Sequence, residues 1–191
     1  LHAVQTPFTT GFAWWLPPGF TWSRTTPLGR PWLGRQCLTF DDTYIITLDR
    51  PAAEYLKTRV SHMHRRHVQT SYNRGLEIIE RPGPDLIEEY YQLYARIHAE
   101  RQWMDTRLSA AFFHGIATDL EDGGRLILMR YRGQIVGGGV LLFDRQAVHY
   151  FQGVQDRNVK AVFPHAVLHA LALEYAQTRG ISQVNLGGVN A

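Results

Sequence analysis

Cysteine is nearly missing from this chain: Cys37 is the only one. A single thiol closes no disulfide within the chain, which excludes a disulfide-stapled scaffold and makes the cytoplasm the default compartment. Nothing basic surrounds Cys37 in its Pro- and Gly-rich stretch, so no activated thiol nucleophile is expected there. Long apolar runs are absent too; none approaches the ~20 residues that a membrane-spanning helix needs. The N-terminal residues carry no basic segment followed by an apolar one, so no signal peptide is expected. Nor is there a surplus of one charge: 19% of the residues are charged, and the net charge is +3 with nine histidines besides. That balance excludes a polyelectrolyte tail and is compatible with phosphate-bearing partners without requiring them.

What is present is enough apolar material for one domain, 45% of 191 residues. It is unevenly spread. Residues 1–42 are broken by Pro7, Pro17, Pro18, Pro27 and Pro31 and by several glycines, yet hold Trp14, Trp15, Trp22 and Trp32. Irregular chain so rich in tryptophan is expected to pack on something, as a wrapping arm or the remnant of a preceding lobe. The chain starts on Leu1 and stops at Ala191, just after an expected strand, so both ends are expected to be cut.

Residues 43–191 carry regular patterns. TYIITL (43–48) reads as a strand, and residues 51–75 as one helix ending at Gly75. LEIIER (76–81) is a strand. Gly83-Pro84-Asp85 opens a helix whose apolar stripe is Leu86, Ile87, Tyr90, Leu93, Tyr94 and Ile97. Ser109 caps a shorter helix with Phe112, Phe113, Ile116 and Leu120 inward, stopped at Gly123-Gly124. Three antiparallel strands follow from Arg125, turning at Arg132-Gly133 and Arg145-Gln146; then come a helix from Phe163 and a closing strand, SQVNLGG. The glycines Gly137, Gly138 and Gly139 interrupt the second of these strands, to let helices pack close or to form a bulge. The expected fold is α/β (α+β layered), a mixed, mostly antiparallel sheet flanked by helices. A meander that feeds a helix and then a parallel strand leaves a backbone opening between the last two strands. Acyl-transfer folds seat a thioester or ester carbonyl at such an opening.

In this order the chain resembles the GNAT superfamily of N-acyltransferases, more narrowly its FemAB-like and CelD-like branch. The resemblance rests on HRRHVQTSYNRG, on LIEEYYQLYARIHAERQW ahead of a Phe-rich helix, and on FPHAVLHALALEYAQTRGISQVNLGG. It spans about residues 43–188. It implies an enzyme that moves an acyl group from acyl-CoA to a primary amine by direct attack, with no covalent enzyme intermediate and no permanently bound cofactor. Two alternatives go with it: a FemAB-like enzyme that transfers from aminoacyl-tRNA to a cell-wall-precursor amine, in cell-envelope biosynthesis, and a non-catalytic binding lobe. A second GNAT-like lobe is expected in the parent chain. The sequence departs from the superfamily at the turn QDRNVKAVFP, where a basic-x-x-Gly-x-Gly/Ala motif usually holds pyrophosphate, and it stops before the Phe-Lys of the FemAB-like branch. The expectation is a piece that folds but turns over poorly, with the outer edge of its last strand unpaired.

The candidate catalytic residues are Gly153 and Val154, whose strand amides would polarise the acyl carbonyl, Glu100 as amine ligand or base, and Asn185 in the closing strand. Arg157, Asn158 and Lys160 precede a helix N-terminus and are the candidate donor-phosphate ligands. Tyr150, Gln152 and Trp103 are candidates to line the substrate site, and Arg65 and Arg66 to touch a tRNA or nucleotide backbone. His165 and His169 share one helix face, but HAVLH lacks the glutamate of a HExxH site, so packing is expected of them and no metal.

Overall fold

The computed structural model describes residues 3–4, 42–101, 107–120 and 122–189. Among them, strands β1 (Ala3–Val4), β2 (Asp42–Thr47), β3 (Glu77–Ile79), β4 (Gly124–Tyr131), β5 (Gln134–Phe143), β6 (Ala147–Gln155) and β7 (Gln183–Val189) form one sheet, ordered β1-β2-β7-β6-β5-β4-β3. The helices are α1 (Ala52–Arg59), α2 (His62–Asn73), α3 (Pro84–Glu100), α4 (Ala110–Asp119) and α5 (Pro164–Thr178). Every strand pair is antiparallel except β6 with β7. The α/β layering with a mixed, mostly antiparallel sheet is therefore as the sequence indicates.

Two apolar layers sandwich the sheet. On one face α5 buries Val167, Leu168 and Leu171 against Val148, Leu141 and Val184. On the other, α3 and α4 bury Tyr90, Tyr94 and Phe113 against Leu126, Leu128 and Val140. The helical stripe on α3 falls where the 3.6-residue period puts it, with Ile87, Tyr90, Leu93, Tyr94 and Ile97 buried. Ser109 caps α4, its Oγ accepting from the Phe112 amide at 3.2 Å. Arg132 and Gly133 both have positive φ, 52° and 80°, the signature of a two-residue hairpin turn between β4 and β5.

The glycine run in β5 sets how closely the helices approach. A Cβ on Gly137 would sit 2.6 Å from Pro164 Cβ, and one on Gly139 would meet Leu168 Cδ2 at 2.6 Å and overlap the Gln152 carbonyl oxygen. From the other face, a Cβ on Gly138 would lie 3.1 Å from the ring of Tyr90. Three bare positions in a row therefore let α5 and α3 press on the same stretch of sheet.

Two expectations are corrected. Residues 51–75 form two helices, not one. The break falls at Val60-Ser61, where Ser61 Oγ accepts from the His64 amide at 3.2 Å and starts α2. The Arg65 guanidinium reaches back to the Lys57 carbonyl and to the Val60 carbonyl at 3.0 Å, closing α1 from outside. The outer edge of the last strand is also not open: β7 pairs with β2 from Asp42↔Val189 to Thr47↔Gln183. Of the arm 1–42, Ala3–Val4 adds to the sheet beside β2; residues 5–41 with their tryptophans lie outside the described residues.

Candidate active site

The parallel ladder between β6 and β7 is short. It runs Ala147↔Gln183, Val148↔Val184, His149↔Asn185 and goes no further among the described residues. Beyond it β6 continues along β5 to Gln155, while β7 continues along β2 to Val189. The strands diverge, and among the described residues the β7-facing edge of β6 beyond His149 has no strand partner. The amides on that edge follow from register. Asp156 N–H donates to Val136 O at 2.8 Å, on the β5 side. Backbone groups alternate along a strand, so the amide of Val154 also turns to β5 and that of Gly153 turns into the opening. Val154 itself is a core residue, 1% exposed.

A bulge at Phe151 decides which face each neighbouring side chain takes. Leu141 pairs with Tyr150, but Val140 pairs with Gln152, so β6 has one extra residue. Tyr150 therefore points to α5, where its ring packs edge-on against His169 at 5.0 Å and His165 at 6.3 Å. Gln152 points to α3, and its Oε1 accepts from the Tyr90 hydroxyl at 3.0 Å. Phe151 is half-exposed and leans on Phe112 of α4, ring centres 5.8 Å apart. Tyr150 and Gln152, two residues apart, serve opposite faces. A Cβ on Gly153 would overlap the Tyr150 hydroxyl oxygen, so the close approach that this glycine permits is that of a phenol from its own strand.

Burial sets the protonation of this corner. It pushes the Tyr150 phenol above its usual value, against the pull of the Arg101 cation. It holds His165 down at about 4, helped by Arg101 and Arg157, and His169 at about 4, helped by His165 and His64. Both imidazoles are neutral at pH 7. Arg101 closes the C-terminal end of α3, its amide donating to Ile97 O at 3.0 Å. Burial lowers its own pKa and the Arg157 cation lowers it further. Glu100, the last residue of α3, is exposed beside it. Trp103 lies outside the described residues. Asn185 sits in the last rung of the parallel ladder, opposite His149, partly buried.

The turn from β6 into α5 exposes Arg157, Asn158 and Lys160. Asp156 orders it. Its Oδ1 accepts from the Asn158 amide at 2.9 Å and its Oδ2 pairs with Arg96 at 2.6 Å. Burial raises this carboxyl, but the Arg96 and Asn158 bonds prevail and hold it below the usual range. The helix start offers few amides to an anion. Phe163 N–H is taken by Ser71 Oγ at 2.8 Å, His165 N–H by Gln155 Oε1 at 3.3 Å, and Pro164 has none. Phosphate binding here would rest on the Arg157 and Lys160 side chains. Arg66 is exposed on α2, whereas Arg65 is occupied in closing α1. The phenol of Tyr150 folded over Gly153 is the feature that the sequence patterns miss. The i,i+4 spacing of His165 and His169 does put both on the Tyr150 side of α5.

The profile of the acetyltransferase (GNAT) domain family matches residues 59–191. The chain belongs to the GNAT acetyltransferase family. Its fold is similar to that of FemX, with a TM-score of 0.65 at 13% identity over 79% of this chain and 54% of FemX. It is also similar to the C-terminal domain of a putative lysylphosphatidylglycerol synthetase from Agrobacterium fabrum, with a TM-score of 0.56 at 15% identity over 78% of this chain and 46% of that one. The L-PGS structure from Bacillus licheniformis matches with a TM-score of 0.56 at 11% identity, over 78% and 46% of the two chains. This GNAT domain thus spans about half the length of these relatives. No curated protein matches the sequence significantly. Among the described residues there is no group of three or more histidine, cysteine or acidic side chains that would hold a metal, and no helix long and apolar enough to cross a membrane.

Proposed function

We propose that this GNAT domain is an N-acyltransferase that moves an acyl group from acyl-CoA to a primary amine, with the acyl carbonyl held in the opening between β6 and β7. The observation that carries the reading is the end of the parallel ladder at His149↔Asn185, one residue before the stretch whose Gly153 amide turns into the gap. An unpaired strand amide is a fixed donor that needs no reorganisation as the carbonyl oxygen gains charge. The donor arm lies along β6, its phosphates near Arg157 and Lys160 with Asn158 in the same turn, and the amine enters past Glu100 and Asn185. Gln152 and Tyr150 support the two faces of the site.

A second donor, aminoacyl-tRNA, is favoured by one observation. The α5 start has no glycine turn, and the amides of Phe163 and His165 are already bonded to Ser71 and Gln155. A pyrophosphate has no backbone cradle there. Arg66, exposed on α2, would then meet the nucleic-acid backbone, and the amine would belong to a cell-wall precursor. The deciding experiment is a thiol-release assay with acyl-CoA and amines, run beside transfer from aminoacyl-tRNA. Turnover with the first establishes the proposed reaction. Turnover with the second alone replaces the donor, and turnover with neither rejects the enzyme in favour of a binding lobe.

A further inference from the structure

Two hydrogen-bond donors converge on one residue of β6. The Gly153 amide faces the opening, by the alternation fixed at Asp156 N–H to Val136 O. The Tyr150 hydroxyl lies against the Gly153 α-carbon from the α5 face, so close that a Cβ would overlap it. The bulge at Phe151 brings it there. Without the extra residue, the strand between Tyr150 and Gly153 would run straight and the phenol would not fold back over the glycine. The rings of His169 and His165, at 5.0 and 6.3 Å, hold it from behind. Among the described residues Tyr150 packs by its ring on these two histidines, and its hydroxyl has no hydrogen-bond partner. Burial keeps the phenol protonated, and it leaves the neighbouring imidazoles neutral. The hydroxyl is thus a neutral donor with no acceptor among the described residues, beside the glycine whose amide turns into the gap.

We infer that Tyr150 is a catalytic residue of the acyl transfer, and that its O–H and the Gly153 N–H together hold the donor's carbonyl oxygen as it becomes an oxyanion. This rests on the acyl-transfer reading above. The amine nitrogen forms a bond to the carbonyl carbon, and the C=O π pair moves onto oxygen, between the two donors. When that pair returns, the bond from carbon to the leaving sulfur or oxygen breaks with its electrons. The proton shed by the nitrogen ends on that leaving atom, so the products are an amide and a free thiol or hydroxyl. Tyr150 keeps its own proton throughout. The Arg101 cation, which acts on the same phenol, adds to the positive potential around the oxyanion.

Tyr150→Phe tests this, because phenylalanine keeps the ring on His169 and removes only the hydroxyl. The full chain and the variant are compared in single-turnover transfer with whichever donor the wild type uses. The expected result is a rate of the chemical step lower by roughly 10²-fold, with KM for the donor within about twofold and an unchanged melting temperature. Gly153→Ala, which displaces the phenol, is expected to lower the same step, and the double variant to fall little below the slower single one. A Tyr150→Phe rate within about threefold of wild type overturns the inference. A raised KM with an unchanged rate also overturns it, since the hydroxyl then only binds substrate. A wild-type chain inactive with both acyl-CoA and aminoacyl-tRNA overturns the acyl-transfer reading itself, a different failure from either of these.

Discussion

The Ser71 hydroxyl accepts from the Phe163 amide at 2.8 Å and donates to the His67 carbonyl at 2.8 Å, so one fully buried oxygen joins α2 to the entry of α5. Ser71→Ala leaves the partly buried Phe163 amide without this partner. That is expected to cost about 1–3 kcal/mol, read as a lower denaturant midpoint at unchanged slope. A loss below about 0.5 kcal/mol would mean that α5 is positioned by packing alone.

Gly139→Ala is expected to be far more damaging than Gly83→Ala. At Gly139 the new methyl meets Leu168 and the Gln152 carbonyl, whereas at Gly83 nothing lies within 4 Å. Overpacking of this kind costs about 1–3 kcal/mol, and here it also pushes α5 off the sheet. Equal melting temperatures for the two variants would contradict the close packing.

Stability should fall with acid in a window set by His165 and His169. Their folded pKa values, about 4, lie below the usual 6.5. Between these pH values the unfolded chain binds more protons than the folded one, so the stabilisation is complete above about 6.5 and is lost as pH falls toward 4. The loss is on the order of a few kcal/mol in total. Asp144 and Asp156, both held below the usual carboxylate range, add a further loss at lower pH. Denaturant titrations at pH 7.5 and 4.5 measure the first window; His169→Phe should narrow the gap between them, and a gap that does not change contradicts the assignment.

Removing charge at Arg157 or Lys160 should weaken donor binding by about 1 kcal/mol or more each, read by calorimetric titration. If the donor is a tRNA, affinity should also fall with salt by roughly 0.7 log units per log unit for each single-stranded phosphate contact. Arg66→Gln should then make that slope shallower. A flat salt response leaves α2 as a solvated face.

The sheet and helix order was legible because its signals are local. Two turns, a capped helix, the stripe on α3 and the proline at the α5 start all announce themselves within a few residues. The break at Val60-Ser61 was also signalled, by a serine ahead of a polar turn, but the good helix formers on either side read through it. The bulge at Phe151 has no such mark. It arises from pairing with β5, and it alone determines that Tyr150 and Gln152 part company. For the same reason a glycine at 153 could be flagged, while the phenol that occupies its bare face could not.

In the proposed reaction an acyl donor occupies the gap between β6 and β7 against the Gly153 amide. Amide resonances of the ¹⁵N-labelled chain, followed as acyl-CoA or an aminoacyl-tRNA is added, test it most directly. Gly153 and Gln155, whose amides face the gap, are expected to shift most along β6, with Arg157 and Lys160 moving at the turn and Val154 changing little. Shifts that leave Gly153 and Gln155 in place and gather instead at the cleft lined by Arg81, Thr118 and Arg125 would contradict it.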